Sequence, residues 1–203
     1  AINRLTETTA ISTMNPLEGR RKFGSIGKVL PPQALRILDN NGHDLPVGEV
    51  GEIALSGPTI MKGYLKDPAN TARAFADGWF LTGDMGRLDA DGFAFIVGRK
   101  KEMILRGGEN ISPLEIEEVA NRHPGVRESA VVGLPDAIWG EAVGLSVVRQ
   151  GAVTTEELLG FCRSHLSAFK VPERVAFVDE LPRNAMGKVV RTAVLDAFIG
   201  GLP

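Results

Sequence analysis

The stretch Gly98-Arg99-Lys100-Lys101-Glu102-Met103-Ile104-Leu105-Arg106-Gly107-Gly108-Glu109-Asn110-Ile111-Ser112-Pro113-Leu114-Glu115 separates two parts of the chain with different character. Downstream, apolar alternation is interleaved with helical patterns. Ser112 and Glu115 have capping-box spacing with Pro113 at the first helical position, so a helix begins there. Ile116, Val119 and Ala120 follow at helical intervals, and His123-Pro124-Gly125 stops the run. Strands are expected over about 129–134, 142–148 and 174–178. A second capping box at Thr154 and Glu157 opens a helix whose apolar face carries Leu158, Leu159, Cys162 and Leu166. A last helix follows Gly187, with Val190, Val194, Leu195 and Phe198 as its apolar face.

Upstream, residues 1–25 are polar, contain Gly and Pro, and read as irregular. Alternation over 33–38, a turn at Asn40-Asn41-Gly42 and a strand over 51–56 suggest a small sheet or barrel. Asp67-Pro68 starts a short helix running to about Phe75. Trp79-Phe80-Leu81 reads as a short strand ending at Thr82-Gly83-Asp84, and Asp89-Ala90-Asp91-Gly92 as a hairpin turn. The expected fold is therefore α+β, with a β-rich region over 1–98 and a compact α+β domain over 99–203.

The 203 residues are 43% hydrophobic and 24% charged, enough apolar material for a packed core. A net charge of −2 without blocks of one sign excludes a broad electrostatic footprint for nucleic acid. One cysteine, Cys162, forms no internal disulfide and no cysteine-rich zinc site, and its helical pattern makes it a core thiol. The three histidines lack ligand spacing and read as surface or capping residues. No transmembrane segment or signal peptide is apparent, so a cytoplasmic location is the expectation.

Three clusters could carry chemistry. The carboxylate of Asp84, after a Gly turn, could accept both hydrogen bonds of a ribose diol, or merely cap the turn. The basic run Arg99-Lys100-Lys101 with Gly107-Gly108 could form a ligand loop near phosphates, or a solvated linker. In Pro182-Arg183-Asn184-Ala185-Met186-Gly187-Lys188, the lysine on a Gly-containing loop could present a movable cation to phosphate, or be a surface lysine beside a turn. The spacing there is not that of a P-loop.

Taken in order, Gly63-Tyr64, Asp77 to Asp84, Gly98 to Ile104, Gly107 to Glu117 and Pro182 to Lys188 resemble the acyl-CoA synthetase branch of the adenylate-forming, AMP-binding enzymes. The resemblance covers nearly the whole chain. It implies two half-reactions: a carboxylic acid, fatty or aryl, attacks ATP with Mg2+ to give acyl-adenylate and pyrophosphate, and the thiol of coenzyme A then displaces AMP. It also implies that residues 1–98 end a large N-terminal domain and that 99–203 form a small mobile C-terminal domain. Asp84 would bind the ribose, supported by Arg99, and Lys101 would be the hinge. Lys188 would be the adenylation lysine. Gly107 and Gly108 would line the pantetheine tunnel, and Trp139 and Phe169 would meet the CoA nucleotide or simply pack.

Thr6-Glu7 resembles the end of a Tyr-Gly-x-Thr-Glu motif whose Thr serves phosphate and whose Glu serves the metal. Asn3 and Arg4 stand where Tyr and Gly are expected, which suggests that the chain starts at or within the motif. The family's phosphate loop and acyl pocket lie outside this sequence, so the upstream domain is expected to be missing and the chain alone to have negligible ligase activity. Two alternatives remain open: an adenylation domain serving a carrier protein, and a non-catalytic nucleotide- or partner-binding product. The Gly-Gly-Glu-Asn-Ile-Ser-Pro run looks more like free-standing CoA ligases.

Overall fold

A computed structural model describes residues 2–201. The chain forms two compact units, Ala1–Lys101 and Glu102–Pro203.

In the first unit, β1 (Ile2–Leu5), a 3-10 turn (Thr6–Thr8), β2 (Ala10–Met14) and β3 (Lys28–Val29) make an antiparallel sheet in the order β1-β2-β3. The expectation of irregular structure over 1–25 is corrected for its first half. Asn3, Ser12 and Thr13 are buried polar residues, so these strands carry no apolar alternation to read. Side-chain bonds such as Ser12 Oγ to Thr8 Oγ1 (2.7 Å) compensate that burial. A second antiparallel sheet contains β4 (Ala34–Leu38), β5 (Gly51–Ser56), β6 (Phe75–Ala76), β7 (Trp79–Leu88) and β8 (Ala94–Arg99). Its order is β4-β5-β7-β6, with β8 also on β7. Between β5 and β6 lies α1 (Pro68–Arg73), capped by the Asp67 carboxylate accepting from Asn70 N. It ends before Phe75, which joins β6. Ile37, Ile53 and Leu55 form the buried centre.

β7 runs straight through Thr82-Gly83-Asp84, so Asp84 lies within a strand and not at its end. The sequence reading failed here because Gly83 suggested a turn. The glycine instead marks a bulge, with φ of 71°. Glu52 pairs with Met85 and Ala54 with Leu81, so Ile53 alone faces the three residues between them. The register of β7 slips again against β8 between Met85 and Gly86. Thr82–Asp84 thus leave the ladder with β5, while Asp84 still pairs with Arg99 of β8.

The second unit begins with the hairpin β9 (Ile104–Arg106) and β10 (Glu109–Ile111), closed by Gly107-Gly108. α2 (Pro113–Ala120) follows, with Ser112 Oγ accepting from Glu115 N at 3.3 Å. Then come β11 (Val126–Asp136), β12 (Gly140–Arg149), α3 (Thr155–His165), β13 (Arg174–Val178) and α4 (Arg191–Ile199). The sheet order is β10-β9-β12-β11, and β13 joins β12 in parallel. Both strands of the β11–β12 hairpin are longer than their apolar patterns indicated.

Period-two alternation divides this sheet between two cores. Val131, Val143, Leu145 and Val147 pack with Ile116 of α2 and with Leu158 and Cys162 of α3. Ala130, Val132, Leu134 and Val148 pack with Val194 and Phe198 of α4. Both halves of the Thr154–Glu157 capping box form. The Glu157 carboxylate is held below its usual range, chiefly by the Thr154 backbone N–H.

Candidate functional site

In the first unit, an open cavity of about 1190 Å³ is lined by residues of one side of the sheet and of α1, among them Glu52, Tyr64, Asn70, Thr82, Gly83, Arg99, Lys100 and Lys101. The Asp84 carboxylate is 5% exposed and accepts from Arg99 Nε at 2.9 Å. Arg99 Nη1 also donates to Thr82 O at 3.2 Å. Thr82 Oγ1 donates to Ile53 O at 2.7 Å and accepts from Asp84 N at 3.1 Å, tying the bulge on both sides. The structure therefore brings Asp84, Arg99 and Lys101 to the region of one cavity. Glu7 comes near as well: Tyr64 Oη donates to its carboxylate at 3.2 Å, and Met61 N donates to its carbonyl at 2.7 Å. Burial, followed by the neighbouring Glu7 charge, raises the Tyr64 pKa. Thr6 is exposed on the same 3-10 turn.

Among the described residues, no group of three or more His, Cys, Asp or Glu side chains is placed to hold a metal. One partly exposed carboxylate such as Glu7 fits a magnesium ion that takes its remaining ligands from water and substrate phosphates.

The second unit carries the other expected site residues. Gly107 has φ of 58° and Gly108 has φ of 89°. Gly107 N donates to Trp139 O at 2.8 Å, and a Cβ at Gly107 would lie 3.0 Å from the Trp139 ring. The stretch 98–110 holds the end of β8, a 3-10 turn (Lys100–Glu102) and the β9–β10 hairpin, and the boundary between the two units falls within it. Trp139 and Phe169, 30 positions apart, are both partly exposed, at 52% and 39%. Arg106 joins them: its guanidinium lies 5.9 Å from the Trp139 ring centroid, donates to Phe169 O at 2.7 Å and pairs with Glu173. Asp136 Oδ1 accepts from Ile138 N at 2.9 Å and Trp139 N at 2.8 Å, and its pKa is lowered by those bonds, Trp139 first.

Lys188 is exposed on a tight loop. Asn184 Oδ1 accepts from Met186 N and Lys188 N, both at 3.0 Å, and Arg183 donates to Gly187 O at 2.7 Å. The loop backbone is hydrogen-bonded to its own side chains, while Lys188 is exposed. Arg191 anchors the end of the loop. Its guanidinium donates to Glu102 at 2.9 Å, to Glu117 at 3.1 Å and to Val131 O at 2.8 Å.

Sequence reasoning named Tyr64 and Lys100 only as members of motifs, and it missed Glu52, Arg106, Asp136 and Arg191. Glu52 had a signal: one carboxylate in the apolar run Ile53-Ala54-Leu55. Arg106 and Arg191 are common surface types whose partners lie far away in sequence, and Asp136 bonds the backbone only two and three positions on.

Comparison with known proteins identifies the family. Residues 5–65 match the family described as AMP-binding enzyme, and residues 115–188 match the AMP-binding enzyme C-terminal domain. The chain belongs to the AMP-binding, adenylate-forming enzymes. Within that class its relatives include acyl-CoA ligases for several acids. A 2-succinylbenzoate–CoA ligase of Bacillus licheniformis is 45% identical over 92% of this chain and 39% of its own length. A sulfoacetate–CoA ligase of Cupriavidus necator is 45% identical over 95% of this chain and 38% of its own length. Thus the chain spans about two fifths of the length of these curated relatives. ATP-bound MatB from Rhodopseudomonas palustris superposes with a TM-score of 0.89 at 40% identity, over 96% of this chain and 39% of that one. The o-succinylbenzoate CoA synthetase of Bacillus subtilis, in complex with its acyl-adenylate intermediate, gives 0.88 at 36% identity over 95% of this chain and 40% of that one.

Proposed function

We propose that this chain supplies part of the active site of an ATP-dependent acyl-CoA ligase. In this reading, residues 1–98 end the AMP-binding domain and 99–203 form the C-terminal domain that turns about Lys101. The observation that carries it is the Arg99–Asp84 pair on a bulged strand beside an open cavity. A buried carboxylate held by a guanidinium can take a ribose diol while the cation offsets its charge. Thr6 serves the phosphates, and Glu7 would hold a magnesium ion, which would supply positive charge to them.

Lys188 then acts in the first half-reaction. Its ammonium bridges the acid's carboxylate and the α-phosphate, two anions that would otherwise repel, and stabilises the charge of the transition state. The second half-reaction uses the Gly107-Gly108 hairpin. There a backbone without side chains leaves room for the pantetheine arm, and Trp139 and Phe169 offer aromatic faces to the adenine. Coenzyme A is favoured over a carrier protein because both aromatics stand partly exposed around that hairpin. The curated relatives are named for chemically different acids, so the family leaves the acid open. Fatty acids are our first candidate, with aryl acids second.

The test uses the ligase that carries this chain. Lys188→Ala abolishes pyrophosphate release from acid and ATP, yet leaves thioester formation from supplied acyl-adenylate and coenzyme A within a few-fold of wild type. Equal loss of both steps would overturn the role of Lys188. A panel of fatty and aryl acids in the pyrophosphate assay ranks the substrates.

A further inference from the structure

We infer that Glu52 is a positioning residue for the nucleotide site, acting through Gly83 and Lys100; this rests on the reading of Asp84 and Arg99 as ribose-binding groups. Glu52 is charged and 6% exposed in a strand whose next three residues, Ile53, Ala54 and Leu55, are apolar and fully buried. A carboxylate in such a place must be compensated by hydrogen bonds and an opposite charge. Both are present, and both lead to the site. Glu52 Oε1 accepts from Gly83 N at 3.0 Å, and Oε2 accepts from Lys100 Nζ at 2.8 Å.

The location explains why a carboxylate stands there. At the bulge, Ile53 alone faces Thr82, Gly83 and Asp84, so the ladder cannot satisfy every amide of the longer strand. The Glu52 side chain supplies the acceptor for the middle one. It thereby fixes the backbone from which the Asp84 side chain departs. Its second oxygen holds Lys100, which directly follows Arg99 and precedes Lys101. One carboxylate thus links the strand bearing the ribose carboxylate to the segment bearing its guanidinium partner and the proposed hinge.

Calorimetric titration with AMP of the ligase that carries this chain tests this in wild type, Glu52→Gln, Lys100→Met, the double variant and Asp84→Asn. Glu52→Gln keeps an acceptor for Gly83 and loses the charge that holds Lys100. The expected result is at least fivefold weaker AMP binding for Glu52→Gln and for Lys100→Met, with the double variant no weaker than the weaker single one. Coupling of this kind separates positioning through Lys100 from general loss of structure. If Glu52→Gln does not fold, Lys100→Met still decides, because the Lys100 side chain is 46% exposed. Wild-type affinity in Lys100→Met, or effects that multiply in the double variant, would overturn the role of Glu52. Unchanged AMP binding in Asp84→Asn, or none by the wild-type ligase, would instead overturn the nucleotide reading and this inference with it.

Discussion

Arg191 and Glu117 show how one pair of side chains sets the frame of the second unit. Glu117 is 8% exposed, and its carboxylate also accepts from Val131 N at 2.7 Å. The pair therefore bonds α2 to β11 and to the first residue of α4. Burial alone would lower the Arg191 pKa, but the bond and charge of Glu117, with those of Glu102, raise it overall. Removing one member of a buried pair leaves the other uncompensated, so Arg191→Met is expected to lower stability by about 3 kcal/mol, measured by urea unfolding. Asp136 gives a prediction of opposite exposure. Its folded pKa is lowered, so its contribution is present above the unfolded carboxylate pKa and is lost as pH falls through the lower folded value. Acidification should release the turn that holds Trp139. In a Trp79→Phe background, Trp139 emission is expected to change below the usual carboxylate range, and Asp136→Asn to remove that step.

At the scale of elements, two devices act independently. The α3 capping box satisfies a backbone donor at each side, so Thr154→Ala should cost about 1 kcal/mol in thermal unfolding. The β9–β10 hairpin depends on Gly107, whose φ of 58° and closeness to the Trp139 ring both oppose a side chain. Left-handed backbone costs a non-glycine residue about 1–2 kcal/mol, and the new methyl also pushes on the indole. Gly107→Ala is therefore expected to shift the Trp139 amide and ring resonances while those of α4 stay in place. The capping boxes were readable from sequence because both partners lie three residues apart. The bulge in β7 was not, because the Gly83 signal is shared by turns and bulges. Only pairing with Ile53 distinguishes them.

At the scale of the whole chain, the second unit carries its own sheet with an apolar core on each face. Residues 102–203 expressed alone should unfold in one cooperative transition. Leu158→Ala, at a fully buried position, should lower that transition by about 2–5 kcal/mol. Multiphasic unfolding would mean that this unit needs more of the protein.

Local chemistry determined much by itself. Proline and capping residues placed the starts of three helices and apolar periods placed most strands, while the site roles of Asp84, Arg99, Gly107 and Lys188 came from the family resemblance. These signals act between residues close in the chain or through spacings that a linear reading preserves. What only the tertiary structure decided were the groups that act across distance. Glu52 meets Gly83 and Lys100 across the bulge, Arg106 gathers Trp139 and Phe169, and Arg191 joins Glu102 to Glu117. A buried charge persists only beside its partners, and which residues become partners is set by strand register and helix docking.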